Sequence, residues 1–117
     1  KCPVVYDSVG KSSWEVSLDC VAPRGLLVSF GNASGAVTGV NLGVLAQKGS
    51  LYVTRPTLAG YATSAERLRG MAAELFEMIA SGLIKVEIGQ RYPLADAAEA
   101  QRQLAAGKTT GSTILLP

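Results

Sequence analysis

The sequence predicts an α/β fold: the C-terminal half of a doubly wound parallel sheet, followed by an αβ tail. Three observations lead there. Residues 26–30, Leu-Leu-Val-Ser-Phe, form a continuous apolar run of the kind buried on both faces of a parallel sheet. A strand, a helix and a second strand follow one another within about thirty residues, the size of a βαβ unit. Turns rich in glycine, or stopped by proline, follow the first three predicted strands at residues 7–10, 31–35 and 55–57.

The elements come in order. Val4, Val5 and Tyr6 make a short apolar strand ending in the polar turn Asp7-Ser8-Val9-Gly10. Ser12 and Glu15 have the Ser-x-x-Glu spacing of a capping box, so a helix is expected there. Trp14, Leu18 and Val21 put one apolar face toward the sheet, and Pro23-Arg24-Gly25 stops the helix. The strand at residues 26–30 completes the βαβ unit. After the glycine-rich loop, Asn41 is placed to cap a short helix that runs to Gln47 and ends at Gly49. Leu51, Tyr52, Val53 and Thr54 form a third strand of β-branched and aromatic character, closed by Arg55-Pro56.

Thr63 and Glu66 form a second capping box, and Leu68, Met71, Ala72, Leu75 and Ile79 share one stripe of the next helix, closed by Gly82. Residues 84–88 alternate apolar and polar side chains with period two, a strand with one wet face whose partner is expected elsewhere. A helix over residues 96–106, stopped by Gly107, and a strand from Ser112 to Leu116 complete the chain. The first strand lacks a preceding neighbour, so the phosphate-binding half of the doubly wound sheet is expected to lie outside this sequence. The opening Lys1-Cys2-Pro3, without methionine, passes straight into a strand and reads as a cut edge of a longer chain.

Composition excludes several classes. At 117 residues the length allows one small domain, and 48% hydrophobic with 17% charged residues is a globular composition rather than that of a disordered tail. Eleven basic residues against nine acidic ones give +2, scattered along the chain, which attracts neither nucleic acid nor an anionic membrane. No apolar run reaches the roughly 18 residues of a membrane span, so a cytoplasmic protein is expected. Histidine is absent, which removes the usual general base and the commonest metal ligand. Cys2 and Cys20 are too few for a disulfide framework or a zinc cluster and are expected to be inert, reduced thiols. No catalytic side chain and no metal ligand is assigned.

Candidate chemistry sits at the strand ends. In doubly wound sheets ligands bind outside the carboxyl ends of the strands, where residues 7–10, Phe30-Gly31-Asn32 and Arg55-Pro56-Thr57 all fall. Small residues there let backbone amides approach a flat ring, and Ser8, Asn32 and Thr57 can bond a carboxamide or a ribose. On pattern alone the same residues read first as ordinary βα turns, where glycine and asparagine are favoured in any case. Gly31-x-x-x-Gly35 lacks the dinucleotide spacing, and Lys108-Thr109-Thr110-Gly111-Ser112 has no upstream glycine frame for a phosphate loop. The carboxylate pairs Glu74/Glu77 and Asp96/Glu99 read as helix-surface charges, and Met71, Leu75 and Met78 as core.

Taken together, VVYDSVG at residues 4–10, GLLVSFGNASG at 25–35, QKGSLYVTRPT at 47–57 and the ending KTTGSTILLP resemble the C-terminal half of the NADPH-dependent quinone oxidoreductases. These zeta-crystallin-like proteins form a branch of the medium-chain dehydrogenase/reductase superfamily. The resemblance spans essentially the whole chain. It implies the last three strands of a Rossmann cofactor-binding domain over residues 1–82 and a tail, residues 83–117, that returns to a catalytic domain. It implies NADPH as cofactor, with Ser8 near the nicotinamide and Phe30, Gly31, Asn32 and Ala33 lining that ring and its ribose. Arg55, Pro56 and Thr57 would close the same wall, and Gly107 with Lys108 would approach from the tail. The branch does without catalytic zinc. It also dimerises through the last Rossmann strand, here Leu51 to Thr54, whose apolar edge suits isologous pairing.

The implied function is therefore a segment of an oxidoreductase that transfers a hydride from NADPH to a quinone, with the isolated segment inactive by itself. Two alternatives stand beside it. One is a non-catalytic cofactor or dimerisation module; the other is an enone or enoyl reductase of the same superfamily.

Overall fold

Apolar and β-branched residues at the start of the chain favour extended backbone, and in the computed structural model, which describes residues 1–117, they form β1 (Cys2–Asp7). Helix α1 (Trp14–Cys20) leads to the central strand β2 (Val21–Ser29). A short helix α2 (Gly43–Gln47) precedes β3 (Tyr52–Thr54). The three strands lie in the order β1-β2-β3, all parallel, with Val5 opposite Leu27 and Leu27 opposite Val53. This is the parallel α/β arrangement the sequence predicts. With α3 (Leu58–Tyr61), these elements make a first compact unit, residues 1–63.

The core of this unit is small. Leu18, Val21, Leu27 and Leu51 are buried together, with Val5, Trp14, Val44 and Leu45 packed against them. Lys48, just after α2, pairs with Asp19 and lies 3.5 Å from Glu15, which ties the end of α2 to α1 on the surface.

Two local expectations are corrected here. Val21 does not extend α1; it is already in β2, opposite Cys2, with extended backbone and no exposed surface. A β-branched side chain gains more in the sheet core than at a frayed helix end. Between that pair and Val4 opposite Leu26, one residue of β1 faces residues 22–25 of β2, so Pro23-Arg24-Gly25 is a bulge inside the strand. The Ser12/Glu15 capping box is also not formed. Ser13 occupies the cap position, and its hydroxyl makes no cap bond but turns to the carboxylate of Asp7. The hydroxyl donates its proton to this charged acceptor, and the orientation that does so turns Oγ toward Asp7.

The second unit, residues 64–117, opens with α4 (Ala65–Ala80), capped by Ser64, whose hydroxyl accepts from the Arg67 amide at 3.2 Å. The cap is thus one residue later than the Thr63 expected. The helix has the predicted apolar period, yet Leu68, Met71, Leu75, Phe76 and Ile79 remain exposed. The compact units divide before this helix. Its end is bonded to the residues after it, Ile84 N–H donating to the Met78 carbonyl at 3.1 Å.

Strand β4 is Ile88–Pro93, not residues 84–88. It pairs in parallel with β5 (Ser112–Leu116), so its partner lies within the chain. Hydrogen bonding decides this: of residues 84–87, Glu87 alone reaches the partner, accepting from Ser112 N–H at 2.7 Å. The crossover is a 3₁₀ turn (Leu94–Asp96) and α5 (Ala97–Ala105), the helical link a parallel pair requires.

Candidate functional site

Because β1 and β2 are parallel neighbours, their carboxyl ends open on one edge of the sheet and the loops leaving them run side by side. Their pairing continues beyond the strands. Phe30 N–H donates to the Asp7 carbonyl at 2.8 Å, Ala33 N–H to Ser8 at 3.3 Å, Ser34 N–H to Val9 at 2.8 Å, and Lys11 N–H to Gly35 at 3.0 Å. The Ser34 hydroxyl stitches the same seam, donating to the Val9 carbonyl at 2.7 Å and accepting from Ser12 N–H at 2.9 Å.

Two glycines permit this approach. A side chain on Gly31 would lie 2.7 Å from the Ser8 Cα and collide with its carbonyl. Gly10 has φ +91°, and a side chain there would meet the Gly35 carbonyl at 2.6 Å. Glycine is the residue that satisfies both the left-handed backbone and the close contact.

Asp7 ends β1 with its side chain turned into the following loop, 4% exposed. Its carboxylate accepts from Val9 N–H at 2.7 Å, Gly10 N–H at 3.0 Å and the Ser17 hydroxyl at 2.7 Å, while Ser13 Oγ lies 2.8 and 2.7 Å from its two oxygens. Desolvation pushes the pKa up, but the hydroxyls of Ser13 and Ser17 and the amides of Gly10 and Val9 outweigh it and hold the group at about 2, below its ordinary 3.8. A carboxylate with a depressed pKa stabilises the fold above its ordinary value, and that stabilisation is lost as the pH falls through 3.8 toward 2. The stability gap between the wild type and Asp7→Asn is therefore expected to narrow across that window. Urea unfolding at a series of pH values checks it, and a gap that widened toward low pH would contradict it.

Beside these loops lies a cleft of about 270 Å³ whose walls include Trp14, Asn32, Val37, Val40, Val53 and Arg55. Arg55 follows β3 and donates from Nη1 to the Ser29 carbonyl at 2.9 Å, which fixes its guanidinium at the mouth of β2. The cleft thus offers apolar walls with polar groups from Ser29, Asn32 and Arg55, a combination suited to a flat ring carrying a polar substituent.

Of the residues singled out from the sequence, Ser8, Phe30, Gly31, Asn32 and Ala33 stand on the paired loops, and Asn32 and Arg55 line the cleft. Pro56 and Thr57 follow β3, and the Thr57 hydroxyl accepts from Gly60 N–H at 3.4 Å to cap α3. Gly107 and Lys108 lie in the second unit. There they close α5, Gly107 at φ +66° and Lys108 N–H donating to the Gln103 carbonyl at 3.0 Å. Sequence reasoning passes over Asp7 as a plain turn residue, and misses the partnership of Ser13 and Ser17. Two serines four apart on a helix, just after a strand ending in aspartate, are the available signal.

No group of three or more His, Cys, Asp or Glu side chains is placed to hold a metal ion. Cys2 and Cys20 are free and exposed. Glu99, paired along α5 with Gln103 and Arg102, has its pKa lowered first by the Gln103 bond and then by Arg102. It is a helix-surface charge, as expected. No helix is long and apolar enough to cross a membrane.

A family model described as zinc-binding dehydrogenase matches residues 1–115. The chain is 72% identical over 117 residues to a quinone oxidoreductase of Pseudomonas aeruginosa, covering all of this chain and 36% of that protein. It superposes with a TM-score of 0.90 on the crystal structure of Escherichia coli quinone oxidoreductase complexed with NADPH, at 60% identity over all of this chain and 36% of that one. A 2-haloacrylate reductase of Burkholderia is 36% identical, with 97% of this chain and 34% of that protein covered. The chain thus spans about a third of the length of the curated relatives it matches. Their parallel sheet is of the Rossmann kind, and this chain shares it.

Proposed function

This chain belongs to the zinc-binding dehydrogenase family, and on that footing we propose that it is the cofactor-side segment of an oxidoreductase transferring a hydride from NADPH to a quinone. The observation that carries the reading is the seam of paired β1 and β2 loops, opening on a cleft bordered by Asn32 and Arg55, in a chain 60% identical to a protein solved with NADPH.

The residues present fit such a cofactor. Trp14, Val37, Val40 and Val53 give the cleft apolar walls for a flat ring, and Asn32 brings an amide suited to a carboxamide. Bound NADPH supplies the hydride, and the protein supplies position and electrostatics. In this reading Ser8, Phe30, Gly31, Asn32 and Ala33 hold the nicotinamide and its ribose, while Arg55, Pro56 and Thr57 close that wall. Gly107 and Lys108 approach the cofactor from the tail. Residues 1–82 serve the cofactor domain, and residues 83–117 return to a catalytic domain. Zinc, which the family description names, finds no fitting donor set in this chain, and no step is assigned to it.

The protein is further proposed to be cytoplasmic and to dimerise through Leu51 to Thr54. Strand β3 is an edge of the three-stranded sheet, with Tyr52 and Val53 exposed, so its outer backbone groups are open to a second copy. Sedimentation is expected to give a dimer, and a monomer at working concentration would remove this reading.

The cofactor is tested by titrating NADPH against the emission of Trp14, the only tryptophan and a wall of the cleft. Saturable quenching is expected, and its absence would favour the non-catalytic module. A second reading, reduction of an activated alkene, is favoured by the 36% identity to 2-haloacrylate reductase. Turnover of the intact protein with a quinone against a 2-haloacrylate decides between them.

A further inference from the structure

We infer that Asp7 is a positioning residue: its buried carboxylate sets the β1 loop and, through the seam, the Asn32 loop, and thereby the wall of the cleft. The role rests on geometry. The carboxylate gathers the amides of Val9 and Gly10, the first turn after β1, with the hydroxyls of Ser13 and Ser17 from the start of α1 and its interior. It thus fixes the loop to the strand behind it and to the helix in front. Ser13 adjoins Trp14, a wall of the cleft, so the same clamp sets where α1 presents that ring.

The loop held in this way is the template for its neighbour. The carbonyls of Ser8 and Val9 accept from the amides of Ala33 and Ser34. Asn32 lies between Gly31, which has no room for a side chain against Ser8, and Ala33, whose amide is bound to the same Ser8. Its place is therefore inherited from residues 8 and 9, whose place is inherited from Asp7. An ionised carboxylate is suited to this work because it is acceptor-only, with lone pairs for every donor aimed at it. The substitution Asp7→Asn exchanges one carboxylate oxygen for an amino group, which sets new donors against the N–H and O–H groups already pointing there.

Asp7 is not among the residues that line the cleft. Its effect on chemistry passes through Trp14 and the Asn32 loop, and its consequence for NADPH rests on the function proposed above.

The test uses the intact protein, well below its unfolding temperature, with Asp7→Asn, Ser13→Ala and Ser17→Ala. Removing the clamp is expected to raise KM for NADPH about tenfold in Asp7→Asn and about two- to threefold in each serine variant, with kcat within about twofold of wild type. A role confined to stability would lower the unfolding midpoint and leave KM where it was. Amide exchange gives a second arm that needs no cofactor: Ala33 and Ser34, in the loop Asp7 does not touch with its side chain, are expected to exchange faster in all three variants. Unchanged exchange at both amides overturns the inference even if the protein binds no NADPH, in which case the function above fails separately. A folded Asp7→Asn with wild-type KM also overturns it. Where Asp7→Asn does not fold, the serine variants decide, and unchanged KM and exchange in both would be decisive against it.

Discussion

Gly31→Ala is expected to cost the first unit about 3 kcal/mol or more, one of the largest effects of any single methyl group in this chain. The added carbon would sit 2.7 Å from both the Cα and the carbonyl carbon of Ser8 and closer still to its carbonyl oxygen. These atoms are backbone, and the same loop is bonded to Ala33 and Ser34 through the carbonyls of Ser8 and Val9. No rotamer change relieves such a contact, so the two loops must separate. The bonds that join them are then lost together, and Asn32 leaves the cleft. Urea unfolding followed by Trp14 emission measures the loss of stability, and an NADPH titration on the fraction still folded measures the effect on the site. A variant with wild-type unfolding midpoint would show that the loops are free to part.

Leu27→Ala is the second large effect, expected at about 2–5 kcal/mol and toward the upper end. Leu27 has no exposed surface, lies on the central strand, and is flanked in register by Val5 and Val53. Its cluster contains Leu18 from α1, Val21 from the same strand and Leu51 from the approach to β3, so the hole left behind is walled by separate elements that cannot all collapse into it. Few residues of the unit are buried this fully, and the loss is a large share of what so small a core supplies. Trp14 packs on this cluster and also lines the cleft, so its emission is expected to move to longer wavelength as the core loosens. Val16→Ala, on the exposed side of α1, is the control and is expected to stay within about 0.5 kcal/mol of wild type.

The features legible in the sequence are those that act locally. The apolar run at residues 26–30 marks the central parallel strand because burial on both faces leaves no alternation to read. Trp14 and Leu18 mark the inner face of α1, and the glycines at 10 and 31 mark the strand ends where a backbone must pass another closely. The neighbourhood of Ser8, Asn32 and Arg55 at one edge comes from topology: parallel strands in order place their ends together.

Other features depend on partners distant in the chain, and these the sequence does not disclose. The alternation at residues 84–88 is a strand pattern, yet the strand forms at Ile88–Pro93 because that is the backbone β5 reaches. Ser12 and Glu15 have capping-box spacing, yet the neighbouring serine bonds a carboxylate supplied by β1. The stripe on α4 has helical period, but periodicity says which residues share a face and not whether anything covers it.

The sequence by itself thus determined the α/β class, the parallel order of the first three strands and the edge at which a ligand would meet them, since these come from periodicity, turn chemistry and the right-handed crossover. The tertiary structure alone decided that Asp7 is a buried, four-partnered acceptor and that two loops form one seam. Its donors come from the turn and from serines six and ten residues away, and the seam joins positions more than twenty residues apart. The seam depends on long-range pairing of two loops, and the Asp7 cluster on a turn and a helix start folding back onto the end of β1, which no local propensity encodes.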